Sequence, residues 1–200
     1  MDHATARNRA LLWLFLETGL RVSEVRTCCL EDLDRPQGTL SVRGHGAHAR
    51  QVPLGPHSLP ALLTYVDQYR LAQGGAPSGK SEEDHLFLTE TLHPLTAMTI
   101  TQLFLRLNER AGFTDKHISP SMLRDTFAVR HLQAGGDRGV LQELLGLEDP
   151  VSVKRYQRLY EQLREERPCT SQRGRRASSA GAKTKVSRGT ETVLTEPPSG

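Results

Sequence analysis

Apolar positions recur along this chain with two different periods, and the switches between them divide it into elements. Over residues 4–17 the group Leu11, Leu12, Leu14, Phe15 and Leu16 gives a broad helical face, and Gly19 stands where a left-handed cap ends a helix. A second helix starts near Arg21 or Ser23 and turns Val22, Val25 and Cys29 inward. Beyond Leu33 the period falls to two. Leu40 and Val42 alternate within 39–43, and Val52 and Leu54 within 50–54, which predicts a β-hairpin whose loop, 44–49, presents His45 and His48. Pro53 makes the second strand an edge or a strand end.

Helical spacing returns over 56–71 (Leu59, Leu62, Leu63, Val66, Tyr69), followed by a loop rich in glycine and serine at 72–84 and a short strand at 85–89. Residues 96–111 predict another helix, capped by Thr96 or Thr99, with Ile100, Leu103, Phe104 and Leu107 inward and Gly112 as its stop. A helix opening near Ser119 carries Met122, Leu123, Phe127 and Leu132 inward; after Gly135 and Gly136 a short one over 140–147 buries Val140, Leu141, Leu144 and Leu145. A last helix spans 152–164, with Leu159 and Leu163 apolar. The expected fold is mainly α with a small antiparallel β-sheet, formed by one domain over 1–166, and 167–200 is expected to be a disordered basic tail.

Composition narrows the function classes. At 200 residues and 36% hydrophobic content the chain can bury one core. The run 11–16 is too short to span a bilayer and lacks a processing site, so a cytoplasmic protein is expected, with no membrane partner. Cys28 and Cys29 lack the second pair that a zinc site needs and Cys169 lies in the polar tail, so neither a disulfide nor a metal is assigned, and no cofactor is expected. The net charge of +3 is unevenly placed: from residue 168 onward six basic residues face two acidic ones, +4, which leaves the remainder near −1. A nearly neutral body binds a polyanion only through cations gathered on one face.

Two cations and a phenol stand out. Arg21 sits at a helix start, where unpaired N–H groups welcome an anion, and Arg124 opens the helix after Ser119. Tyr156 follows the glycine of Leu144-Leu145-Gly146 by ten residues. The order helix, TGLRVSEV (18–25), hairpin with a GxG loop, LRDTFA (123–128), glycine turn, LLG and tyrosine resembles the catalytic domain of the tyrosine recombinases, or phage integrases, over about residues 4–160. The resemblance implies metal-free exchange of phosphodiesters in double-stranded DNA. A tyrosine attacks the scissile phosphate and is left as a 3′-phosphotyrosyl bond, while two arginines neutralise the phosphoryl oxygens. Arg21 and Arg124 match the two arginine positions and Tyr156 the nucleophile, nine residues after Leu147.

Three positions depart from the family pattern. His45 stands where the hairpin lysine acts as acid for the leaving oxygen, and a histidine donates a proton near neutral pH from a shorter side chain. Ser121 replaces the histidine of an H-x-x-R box; it can hydrogen-bond a phosphate oxygen but is a poor base. Leu147 replaces a histidine or tryptophan and offers only packing. His48 and His117 are alternative proton carriers. The family's helical DNA-clamping domain, normally ahead of this region, is expected to be missing, because the chain opens on the first catalytic helix; a truncated remnant, a miscalled start and a clamp supplied by a partner all fit. The resemblance also implies a homo-oligomer on DNA, with the helix after Tyr156 as a contact, and nucleoid association while bound. Three functions follow, in this order: a site-specific recombinase, active or impaired; a DNA-binding remnant or regulator without catalysis; and a helical protein–protein module.

Overall fold

The computed structural model describes residues 2–43, 49–72, 84–113 and 117–165. His45, His48, most of the 72–84 loop and the tail 167–200 lie outside the described residues. Helix α1 (His3–Thr18) starts where the Asp2 carboxylate accepts the Thr5 amide at 2.7 Å and ends at Gly19, whose φ of 64° only glycine adopts without strain. Its buried side, Ala6, Ala10, Leu11, Leu14 and Phe15, forms the centre of the main core. After two residues the chain enters α2 (Val22–Thr27), so Arg21 is the N-cap, as its position predicts. Val25 and Cys28, rather than Cys29, turn fully inward, because the helix stops at Thr27 and the extended chain beyond it no longer follows a helical period.

A single 3-10 turn, Leu30–Asp32, leads into β1 (Leu33–Asp34), which pairs antiparallel with β2 (Thr39–Arg43), itself paired with β3 (Ala49–Pro53). The hairpin is the expected one, and β1 is an addition, too short to show an alternating pattern. Leu40 lies opposite Val52 and Val42 opposite Arg50, which puts Arg50 in register with a fully buried valine.

Helix α3 (Ser58–Tyr65) is shorter than its apolar spacing suggests: Val66–Arg70 continues it as a π turn that seats the buried Arg70, whose Nε donates to the His85 carbonyl at 3.1 Å. The expected strand at 85–89 does not form. Leu86, Phe87 and Leu88 are all buried, but the neighbouring chain pairs with the segment at single residues only, Cys29 with His85 and Leu88 with Pro94, too few in a row to make a ladder.

Helix α4 (Ala97–Ala111) is capped by Thr96, which accepts the Thr99 amide at 3.1 Å, and stops at Gly112 with φ 67°. Helices α5 (Pro120–Gln133), α6 (Arg138–Leu145) and α7 (Pro150–Glu165) complete the fold. On α5 the inward residues are Arg124, Ala128 and Val129, and Met122 is exposed; on α6 Val140 is exposed as well. Both were expected inside. Each lies in the first turn of its helix, beyond the edge of what the helix packs against.

The buried side chains form two clusters. The larger joins α1, α2, the sheet, α3, the 86–88 crossing and α4; the smaller consists of Ala128, Leu141, Leu145, Val153 and Tyr156, with Phe127, Leu132 and Leu147 against it. Among the described residues no helix is long and apolar enough to cross a membrane.

Candidate active site

The site is built around the end of α6. Asp137 opens this helix, its Oδ1 accepting the Gly139 and Val140 amides at 2.7 and 3.1 Å, and Gly146 closes it in the left-handed conformation at φ 57°. The closing turn satisfies the carbonyls of Gln142 and Glu143 through the amides of Leu147 and Gly146, each at 3.0 Å. The carbonyls of Leu144, Leu145 and Gly146 are left at the negative pole of the helix, where cations are favoured.

Three arginines from three different elements occupy those oxygens. Arg50, from β3, donates Nε–H to Leu144 at 2.9 Å. Arg124, from α5, donates from Nη2 to Leu145 at 2.7 Å, and Arg21, the N-cap of α2, donates from Nη1 to Gly146 at 3.4 Å. Arg124 also donates from Nη1 to the Gly19 carbonyl at 2.6 Å, so two main-chain oxygens fix the plane of its guanidinium. One carboxylate joins the group. Glu24 accepts the Arg21 amide on Oε2 at 2.7 Å, and its Oε1 receives Arg50 Nη1 at 2.8 Å and Arg21 Nη1 at 3.4 Å.

Tyr156 belongs to the same place. It is only 5% exposed, seated on α7 in the smaller apolar cluster, and its phenol lies against the Arg124 guanidinium. Arg155 covers the ring from 5.6 Å and pairs with Asp125 at 2.8 Å. Asp125 therefore serves Arg155, not its neighbour Arg124. Burial holds the Arg124 guanidinium below its ordinary value, with the contact to Tyr156 acting in the opposite sense. Arg21 remains 41% exposed at its side chain and is the member of the group that reaches solvent.

The fold thus brings together Arg21, Arg124 and Tyr156, which are 135 residues apart from first to last. Ser121 lies on the first turn of α5, exposed, three positions before Arg124 and so on the same side of the helix. Leu147 packs on the smaller cluster, as its apolar side chain dictates. His117 is exposed. His45 lies outside the described residues.

Two members of the group were not found from the sequence, Glu24 and Arg50. Arg50 had a readable signal: it precedes Val52 and Leu54 by two and four positions in a strand, and side chains so spaced share one face. Strand parity alone placed it on the inner side. For Glu24 the signal was weaker, a carboxylate three residues after an N-cap, the spacing of a capping box.

An arrangement of two guanidiniums beside a phenol can hold a tetrahedral oxyanion and present an oxygen nucleophile to it. The chain is also similar to known proteins. The chain is 38% identical over 151 residues to tyrosine recombinase XerC of Bacillus pumilus and 37% identical over 153 residues to that of Bacillus subtilis, covering 75% and 76% of this chain. It spans about half the length of these curated relatives, 48% and 49%. Among solved structures it is similar to XerA recombinase, with a TM-score of 0.67 and 27% identity over 83% of this chain and 60% of that one. It is similar also to XerH site-specific recombinase bound to palindromic difH substrate in a post-cleavage complex, with a TM-score of 0.67 and 25% identity over 83% of this chain and 46% of that one. The profile of the phage integrase family matches residues 1–162, and with the arginines and tyrosine of its own sequence gathered at one helix end, the chain belongs to that family.

Proposed function

We propose that this chain is the catalytic part of a site-specific DNA recombinase that breaks and rejoins double-stranded DNA through a 3′-phosphotyrosyl intermediate. The observation that carries the reading is the meeting of Arg21, Arg124 and Tyr156 at the α6 terminus. A scissile phosphate seated over Arg21 and Arg124 has the charge on its non-bridging oxygens neutralised by permanent cations, without a proton changing hands. The Tyr156 oxygen sheds its phenolic proton and attacks phosphorus, the bond to the 5′-oxygen breaks, and that oxygen leaves as a hydroxyl on taking up a proton in turn. His45 is assigned that proton, and Ser121 a hydrogen bond to a phosphate oxygen. The energy of the broken bond stays in the phosphotyrosyl link, so a second 5′-hydroxyl reverses the step without a nucleotide cofactor.

The proposal extends to the assembly: a homo-oligomer on DNA, in the cytoplasm and on the nucleoid when bound, with a DNA-clamping domain supplied by a longer form of the chain or by a partner. Two observations favour a second reading, a DNA-binding relative without catalysis. Leu147 offers packing where the family places a hydrogen-bonding ring, and Tyr156 is almost fully enclosed.

A nicked suicide duplex separates the two. The recombinase reading expects a protein–DNA adduct that survives denaturing electrophoresis and disappears in Tyr156→Phe. Duplex binding without any adduct would leave the second reading standing, and no binding at low salt would remove both.

A further inference from the structure

Glu24 is 96% buried at its side chain and carries a charge that two arginines share unequally. Arg50 Nη1 lies 2.8 Å from Oε1, Arg21 Nη1 only 3.4 Å from it. The Arg50 side chain is 15% exposed against 41% for Arg21. Its remaining nitrogen, Nη2, is closed off from solvent and has no hydrogen-bond partner among the described residues. A guanidinium held in this way is turned entirely inward, and it lies against Gly146, where an added Cβ would come within 2.6 Å of Nη1.

We infer that Arg50 is a positioning residue that neutralises Glu24 and thereby leaves Arg21 free to bind a phosphate. A buried carboxylate demands a close cation. With Arg50 present, that demand is met from the sheet side, and Arg21 is held on Glu24 and Gly146 only by two long hydrogen bonds of 3.4 Å each. With Arg50 neutralised, Arg21 is the described cation already hydrogen-bonded to Glu24, while Arg124, the other guanidinium nearby, is held by the Gly19 and Leu145 carbonyls. It is then drawn into a close pair, and a phosphate must compete with that pair for it. The inference rests on the reading of Arg21 as a phosphate ligand. It adds that β3 sets the strength of that ligand without touching DNA.

The test uses the full chain with Arg50→Gln, which keeps an N–H for the Leu144 carbonyl but no charge, Arg50→Lys, which keeps the charge, and the double variant Arg50→Gln/Glu24→Gln. Fluorescence anisotropy against a short duplex gives the slope of log K on log salt. The expected result is a slope shallower by roughly 0.9 in Arg50→Gln, equal to the loss in Arg21→Ala, with wild-type slope in Arg50→Lys and recovery in the double variant. A double variant that stays as shallow as Arg50→Gln would mean that Arg50 meets phosphate itself, and would overturn the inference. If Arg50→Gln does not fold, the double variant is compared with wild type instead: an equal slope supports the inference, and a slope shallower by roughly 0.9 overturns it.

A second readout needs no DNA. By NMR of the free protein, the guanidinium protons of Arg21 exchange with water more slowly in Arg50→Gln than in wild type; unchanged exchange overturns the inference. If wild type binds no DNA at all, the proposed function falls, and the exchange result alone decides the role of Arg50.

Discussion

Gly19→Ala is expected to be strongly destabilising, for two separable reasons. Gly19 closes α1 at φ 64°, and an alanine in the left-handed region costs about 1–2 kcal/mol. The added Cβ would lie 2.7 Å from Phe127 Cδ1 and 2.9 Å from Leu145 Cδ2. Phe127 is half-buried and can yield, but Leu145 is fully buried in the smaller cluster and cannot move freely. Overpacking of this kind costs about 1–3 kcal/mol. The sum is about 2–5 kcal/mol, a large share of the roughly 5–15 kcal/mol that holds a domain together. Gly112 supplies the control: it ends α4 at φ 67° with no described residue within 4 Å of its added Cβ, so Gly112→Ala is expected to cost only the backbone part. Urea unfolding followed by circular dichroism, with equal m-values, compares the two directly. Equal losses in the two variants would refute the packing argument. Gly19 also presents the carbonyl that fixes Arg124, so duplex binding should fall in Gly19→Ala even where the protein is folded, and should not fall in Gly112→Ala.

Two further outcomes are expected. Asn108→Ala should lose about 2–4 kcal/mol in the same urea assay, because the buried amide donates to the Phe104 and Ile118 carbonyls at 2.8 Å each and accepts the Ile118 amide at 2.7 Å, and its removal leaves both main-chain groups of Ile118 unpaired. Glu17 accepts the Ser58 amide at 2.7 Å and the His57 amide at 3.3 Å, joining α1 to the start of α3. Burial alone would raise its carboxyl, but the hydrogen bonds from Ser58 and His57 outweigh this and hold it below the ordinary 4.5. The folded state therefore binds its proton less readily than the unfolded chain does. The stability it contributes is complete above pH 4.5 and is lost as pH falls through the lower folded value, so Glu17→Gln should flatten that part of the stability–pH curve.

Much of this site was legible in the sequence because its key residues stand at places defined by local rules. Arg21 precedes a helix that follows a glycine stop, Arg124 opens a helix after a serine cap, and Tyr156 lies at a fixed distance from Gly146. Position along a helix or strand is a local property, and the chain writes it down. What was not legible depends on contacts between distant segments. No periodicity announces that Arg50 reaches α6, or that Asp125 turns to Arg155 on another helix. The 85–89 segment failed for a related reason: an apolar run predicts burial, but whether it pairs or merely crosses the core is decided by what surrounds it. The shortened α3 reflects a buried arginine that the apolar spacing does not register.

The oxygens gripped at the α6 terminus belong to the peptide chain and not to any side chain. Every amino acid offers the same carbonyl, so codon changes at 144 or 145 can alter how the end of α6 fits its neighbours but cannot delete the handholds themselves. Such a design moves genetic fragility from the gripped segment to the residues that do the gripping, and to position 146, where a backbone without a side chain is what lets the chain turn.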